Sequence, residues 1–278
     1  MKNKNNKGVT IALLIVIVVL IGSIVFMFVN TNNNNSSNNN SNSDENKVEE
    51  GGENLNNSDE IVQELYGYVN SNYFINSYFR SNESLTNKTI TNDMKLKIAL
   101  NINDSEIIGN FKSEGVKPDE FGINNDLYTI SADEIVNKID NIFRKDNGYK
   151  HITESLVVEY IQDGSFTCSL LSYNESTNNY EMIDSGCGYS IEYQIHNKLM
   201  DVNKTENTIV LTEKMYVTTE NNDVYQDVDR TKIIESNVSE EKIDENEEFY
   251  EKGATVTYTF KLAEDGSYYF ESSSIVYQ

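Results

Sequence analysis

Tryptophan is absent, proline occurs once, and cysteine and histidine occur twice each in 278 residues, so several kinds of chemistry are closed from the outset. Zinc wants four nitrogen, sulfur or oxygen donors at short spacings, and these few ligands form no such cluster. Basic residues are scarce as well: 22 Lys+Arg stand against 45 Asp+Glu, a net charge of −23. Binding nucleic acid through its phosphates needs a clustered Lys/Arg surface, so no nucleic-acid partner is expected. G-x-S-x-G, H-E-x-x-H, G-x-G-x-x-G and Walker A runs are all missing, and the residues point to no catalytic group, cofactor or metal.

What the chain does have is one long uncharged run, Gly8 to Val29. About 20 apolar residues at 1.5 Å rise span a hydrocarbon core of ~30 Å, so residues 8–29 read as a transmembrane helix in contact with the lipid bilayer. A cleaved signal peptide is the competing reading. Its apolar core should be shorter and end in small residues, whereas this run ends in Phe26, Met27, Phe28 and Val29. Ser23 stands where a bacterial lipobox carries its cysteine, which excludes lipoprotein processing. Lys2, Lys4 and Lys7 precede the span and the next basic residue is Lys47, so the positive-inside rule leaves residues 1–7 in the cytoplasm and the rest outside. All the acidic residues lie beyond Ser43, giving the external part a net charge of −26.

Residues 30–57 are rich in Asn and Ser, with little apolar surface to offset the entropy of ordering, and read as a disordered tether. Residues 58–278 read as one extracellular domain. Asn57 or Ser58 caps a first helix with Ile61, Val62, Leu65, Tyr66, Val69 and Tyr73 on one face, ending near Arg80. Asp93 to Ile102 alternates like a strand yet also fits a helical i, i+4, i+8 stripe, and is taken as helix. Ser131 and Glu134 form a capping box ahead of Ile135, Ile139, Ile142 and Phe143. Phe111 to Thr129, which holds Pro118, reads as an irregular connection.

After Gly148 the texture changes to strands, expected at Leu156–Ile161, Phe166–Tyr173, Tyr180–Asp184, Tyr189–His196, Thr208–Thr219, Ala254–Leu262 and Tyr268–Tyr277. Asn174–Asn179 and Glu264-Asp265-Gly266 supply hairpin turns. Asn221 to Glu251 is acidic and reads as a long exposed loop. About three helices followed by an antiparallel sheet is an α+β domain, and a roll of the NTF2 or cystatin kind fits that order.

The anchor with its Asn-rich tether, the run Asp93 to Leu100, the segment Ser131 to Phe143, and Cys168 with Gly186-Cys187-Gly188 together resemble single-pass, membrane-anchored surface proteins of low-GC Gram-positive bacteria. The resemblance covers most of the chain through motifs of low specificity. It implies a location and a build without implying an activity.

Pairing Tyr173 with Tyr180 across the expected turn puts Cys168 opposite Ser185, with Cys187 a diagonal neighbour on the same face. A structural disulfide between Cys168 and Cys187 is the expected state outside the cell, with two free thiols or a redox role as alternatives. A Cys/His nucleophile pair using His151 or His196 lacks an orienting third group in the sequence. Acidic groups such as Asp223, Asp227 and Asp229 read as a solvated loop. The function expected is therefore a non-enzymatic binding domain at the cell envelope, its partner an envelope protein, a wall polymer or a small ligand. The alternative is an envelope enzyme with a dispersed Asp/Glu site, such as a glycan hydrolase.

Overall fold

The computed structural model describes residues 52–278 except 82, 106, 119–121, 163–164, 185–191 and 244–245. The expected anchor at 8–29, most of the tether and Cys187 lie outside the described residues. Among those described, no helix is long and apolar enough to cross a membrane.

The domain is α+β and begins before the expected Ser58. Strand β1 (Glu53–Asn54) pairs with Asn203 and Lys204, so the last residues assigned to the tether are already part of a sheet. The first helical stretch divides into α1 (Glu60–Asn70) and α2 (Tyr73–Arg80). Asn72 is the break: its backbone is extended, and its side chain accepts a hydrogen bond from the Ile75 N–H to start a new helix. After the short β2 (Ser84–Thr86) comes α3 (Asn92–Ser105), which settles the ambiguous run in favour of helix. Leu96, Ile98, Ala99, Leu100 and Ile102 are all fully buried. A helix enclosed on nearly every side carries apolar residues at all phases, and this is why its sequence also looked like an alternating strand.

Phe111–Thr129 is not irregular. It forms an antiparallel pair of β3 (Lys112–Pro118), which is almost wholly exposed, and β4 (Asn124–Ser131), whose Ile130 is buried. Pro118 sits at the end of the edge strand, where a missing N–H costs no ladder bond, and Gly115, at φ 100°, marks a register shift. Helix α4 (Ala132–Phe143) follows with Ser131 as its cap, but the hydroxyl accepts from the Asp133 N–H rather than the Glu134 N–H.

The remaining strands are β5 (Leu156–Gln162), β6 (Ser165–Asn174), β7 (Asn179–Asp184), β8 (Tyr193–Lys204), β9 (Thr208–Thr219), β10 (Val224–Tyr225), β11 (Ile233–Glu235), β12 (Ala254–Leu262) and β13 (Tyr268–Val276). They belong to two antiparallel sheets rather than one. The smaller has the order β3-β4-β7-β6-β5; the larger runs β1-β8-β9-β12-β13-β2, with β10 beside β9 and β11 beside β10. One hydrophobic core joins both sheets to α1–α4. Helix α3 packs against β5 of the smaller sheet, and α4 packs against β13 of the larger. The segment expected as a solvated loop, Asn221–Glu251, instead carries β10, β11, α5 (Glu240–Ile243) and α6 (Glu247–Lys252) over a small core of its own, made by Tyr216, Val224, Val238, Ile243 and Phe249.

Candidate functional site

The largest buried polar group in the domain is closed to ligands. Glu213 lies in the inward row of β9 between Leu211 and Met215, and its side chain is fully buried with that of Arg80, the last residue of α2. Arg80 Nε and Nη2 donate to the two Glu213 oxygens at 2.6 and 2.7 Å. The Tyr66 and Tyr258 hydroxyls donate to the same carboxylate at 2.8 Å each, and Arg80 Nη1 donates to the Val69 carbonyl at 2.8 Å. Both side chains are fully enclosed by protein. Although burial alone would lower it, the Arg80 pKa is raised by Glu213 and the neighbouring tyrosines, so the guanidinium stays charged.

The open chemistry gathers at the loop after α4. Arg144 closes that helix at φ 71°, ψ 156°, a region that is essentially reserved for glycine and costs a side-chain-bearing residue about 1–3 kcal/mol. The Arg144 carbonyl accepts the Asn147 N–H at 3.2 Å, while its exposed guanidinium lies 5.6 Å from the Tyr269 ring centroid with Nε 3.3 Å from Asp146 Oδ1. Asn147 is the buried pivot of the loop: its amide donates to Asp140 Oδ1 at 3.0 Å, its Oδ1 accepts the Tyr149 N–H at 2.9 Å, and its carbonyl accepts Lys95 Nζ at 2.6 Å.

Three cavities meet on this loop, and Asp146 lines all of them. The first, 570 Å³, lies between Lys88–Lys95 and the loop; the second, 390 Å³, reaches Asp140, Tyr149 and His151; the third, 540 Å³, reaches Arg144 and Tyr269. Burial shifts three of the side chains here in the direction of neutrality. It lowers the Lys95 ammonium, raises the Asp140 carboxyl against the pull of Asn147 and Lys145, and lowers the His151 imidazole against the pull of Asp133. His151 stacks on Tyr173 with ring centroids 4.0 Å apart and hydrogen-bonds the Tyr180 hydroxyl at 3.1 Å, and that hydroxyl also bonds Tyr149. Perturbed groups converging on clefts are what an active or binding site looks like physically.

No family model, curated protein or solved structure matches this chain.

Of the residues singled out from sequence, Cys168 lies buried on β6, and the ladder places it opposite Glu159 of β5. Tyr173 pairs with Tyr180 as expected, and Ser169 pairs with Asp184, so the register runs on toward the stretch holding Cys187. No free thiol is found among the described residues. The histidines are far apart in the fold: His151 lies in the loop before β5, lining the 390 Å³ cavity and packing on Tyr173 and Tyr180, while His196 on β8 stacks on Tyr216 and hydrogen-bonds Thr218. Asp227 turns inward to its own loop. Burial opposes its charge, but bonds from the Thr231 hydroxyl and the N–H groups of Thr231 and Lys232 hold it below the usual carboxylate range.

Asp140 and Asn147 stand in no motif of the sequence, Lys95 only within the run Asp93 to Leu100, and Arg144 only as a cation at a helix end. One signal was available: a lysine at the third position of a mostly apolar decapeptide that proves to be helical must either snorkel or be buried with a purpose.

Proposed function

We propose that this protein is a membrane-anchored, extracellular binding domain of the cell envelope that takes its ligand in the clefts around Arg144–His151. The convergence of three cavities on one strained loop carries this reading. The anchor and orientation are supported by the uncharged run Gly8–Val29 and its basic flank. The long strands of the larger sheet, with α1 and α2 packed against its core face, fit a roll of the NTF2 or cystatin kind. Site-specific photo-crosslinking in native membranes tests the reading. A photoreactive residue at Lys88 or Asp146 is expected to give reproducible adducts with an envelope protein, wall polymer or small ligand, whereas one at Ser113 on the far hairpin gives none; adducts equal at all three positions would remove the cleft from consideration.

Asp140 and Asp146 share two of the cavities, and this is the observation that favours the glycan-hydrolase alternative. An Asp140→Asn variant that abolished the release of sugar from isolated wall material would favour it over binding alone.

We also propose that Cys168 and Cys187 form a structural disulfide, supported by the burial of Cys168 and the β6–β7 register. A loop of about 20 residues closed this way is worth about 3 kcal/mol. Peptide mapping without reductant is expected to recover the two cysteines linked; recovery of two alkylated thiols would reject the bond.

A further inference from the structure

Lys95 is the one feature of the loop site that packing alone does not explain. It is 2 % exposed, yet no carboxylate among the described residues lies within 4.0 Å of its ammonium. Its hydrogen bond goes to a neutral carbonyl, that of Asn147, and the Phe143 ring stands 6.0 Å away. A buried ammonium without a counter-ion is unfavourable in a low-dielectric interior, and a fold that needed only to fill this space would be better served by methionine or leucine. Lys95 is among the residues around the 570 Å³ cavity, together with a second lysine, Lys88, and with Thr89 and Thr91. Asp146, the acidic residue on that rim, is engaged by Arg144. The cavity is thus locally cationic on a chain of net charge −23. It also opens at the start of the 14-residue helix α3, where Thr91 Oγ1 accepts the Met94 N–H and the helix dipole favours negative charge.

We infer that the cavity between Lys88–Lys95 and Asn147 is an oxyanion site in which Lys95 pairs with a phosphate or carboxylate group of the ligand. The ligand's anionic oxygen takes the place of the missing counter-ion, and Lys88 and the rim hydroxyls fix its remaining oxygens. A charge-assisted bond at a desolvated ammonium is about twice as strong as a neutral one, so Lys95 supplies most of the selectivity for an anion. An anionic domain would otherwise repel such a ligand, and one inward-facing cation admits it at a single place.

This inference rests on the reading of the loop as a binding site, but its failure is separable from the failure of that reading. Adducts at Lys88 and Asp146 without any anion response would leave a cleft that binds something uncharged. An anion response without adducts would leave the site intact and remove the envelope partner.

The test is thermal unfolding of the full chain in detergent, with inorganic phosphate or acetate titrated against chloride at equal ionic strength. The unmodified protein is expected to show a saturable rise in Tm with one of the two oxyanions, and whichever is tighter names the ligand's charged group. Lys95→Met is expected to unfold at a higher temperature than the parent without oxyanion and to bind it at least about tenfold more weakly; Lys88→Ala, on the exposed rim, should keep the parent Tm and weaken binding about threefold. Equal responses in the parent and in both variants, or no response in the parent, would overturn the assignment. Should Lys95→Met fail to fold, Lys88→Ala decides alone, because its rim position leaves the core untouched.

Discussion

Replacing Glu213 by alanine is expected to remove about 3–5 kcal/mol of stability, because it strands the fully buried Arg80 guanidinium without its partner. The loss is large against the roughly 5–15 kcal/mol that holds a typical domain together. It would also leave the Tyr66 and Tyr258 hydroxyls, each now 2.8 Å from the carboxylate, without their acceptor. Glu213→Gln should recover part of the loss by keeping an acceptor oxygen, but not the charge that Arg80 needs. The informative comparison is a double-mutant cycle. Replacing both ions, as Arg80→Met with Glu213→Leu, is expected to be much less damaging than the sum of the single changes, since a buried pair often does no better than apolar residues of similar volume. Urea unfolding followed by circular dichroism gives all four values. Additive losses would show that the two side chains act independently and that the network is incidental.

A second large effect is expected at Gly253, where α6 meets β12. Its φ is −77°, an angle any residue can adopt, so the constraint is space rather than backbone preference. A methyl group added there would stand 2.0 Å from the Met215 carbonyl oxygen and 2.8 Å from that of Phe249. Both neighbours are backbone, and Met215 is held in the β9–β12 ladder opposite Ala254, so neither can rotate away. Gly253→Ala is therefore expected to cost at least about 3 kcal/mol, at or beyond the upper end of ordinary overpacking. The damage should be local at first: hydrogen exchange in residues 221–252 is expected to accelerate well before that in α3 or α4, because the small core under α5 and α6 loses its seat on β9. Unchanged protection in that segment would mean that the contact relaxes at little cost.

The strands after Gly148 were legible in the sequence because residues such as Val256, Tyr258 and Phe260 alternate with polar ones and all three turned out fully buried. The same signal was ambiguous in one run and absent from another. Helix α3 is enclosed by β5 and the other helices, so its apolar residues occupy every phase and imitate a strand. The hairpin β3–β4 has an outer strand that is almost wholly exposed, so no buried row is written into Lys112–Pro118 at all. The split between α1 and α2 rests on the single backbone angle of Asn72, which is invisible in a stripe of apolar residues that continues through it. Glu213 is the clearest case of a signal present but unread. It falls in phase with Ile209, Leu211, Met215 and Val217, and a carboxylate in an inward row demands a buried cation; which cation it is depends on where α2 ends relative to β9, and only tertiary structure fixes that. Lys95 and Asn147 were hidden for the same reason, being 52 positions apart in the chain and joined by one hydrogen bond.

The pairing of β2 with β13 sets the timetable on which this protein can be made. Ser84–Thr86 find their partners at Ser272–Ser274, near the other end of the chain. At a synthesis rate of about 5–20 residues per second, roughly 10–40 s separate the appearance of the two strands. From residue 143 onward the apolar faces of α1 to α4 have all emerged while β12 and β13, which cover part of them, have not. The β12–β13–β2 side of the larger sheet can therefore close only once β13 has emerged, and until then the apolar surface it covers must be shielded from aggregation.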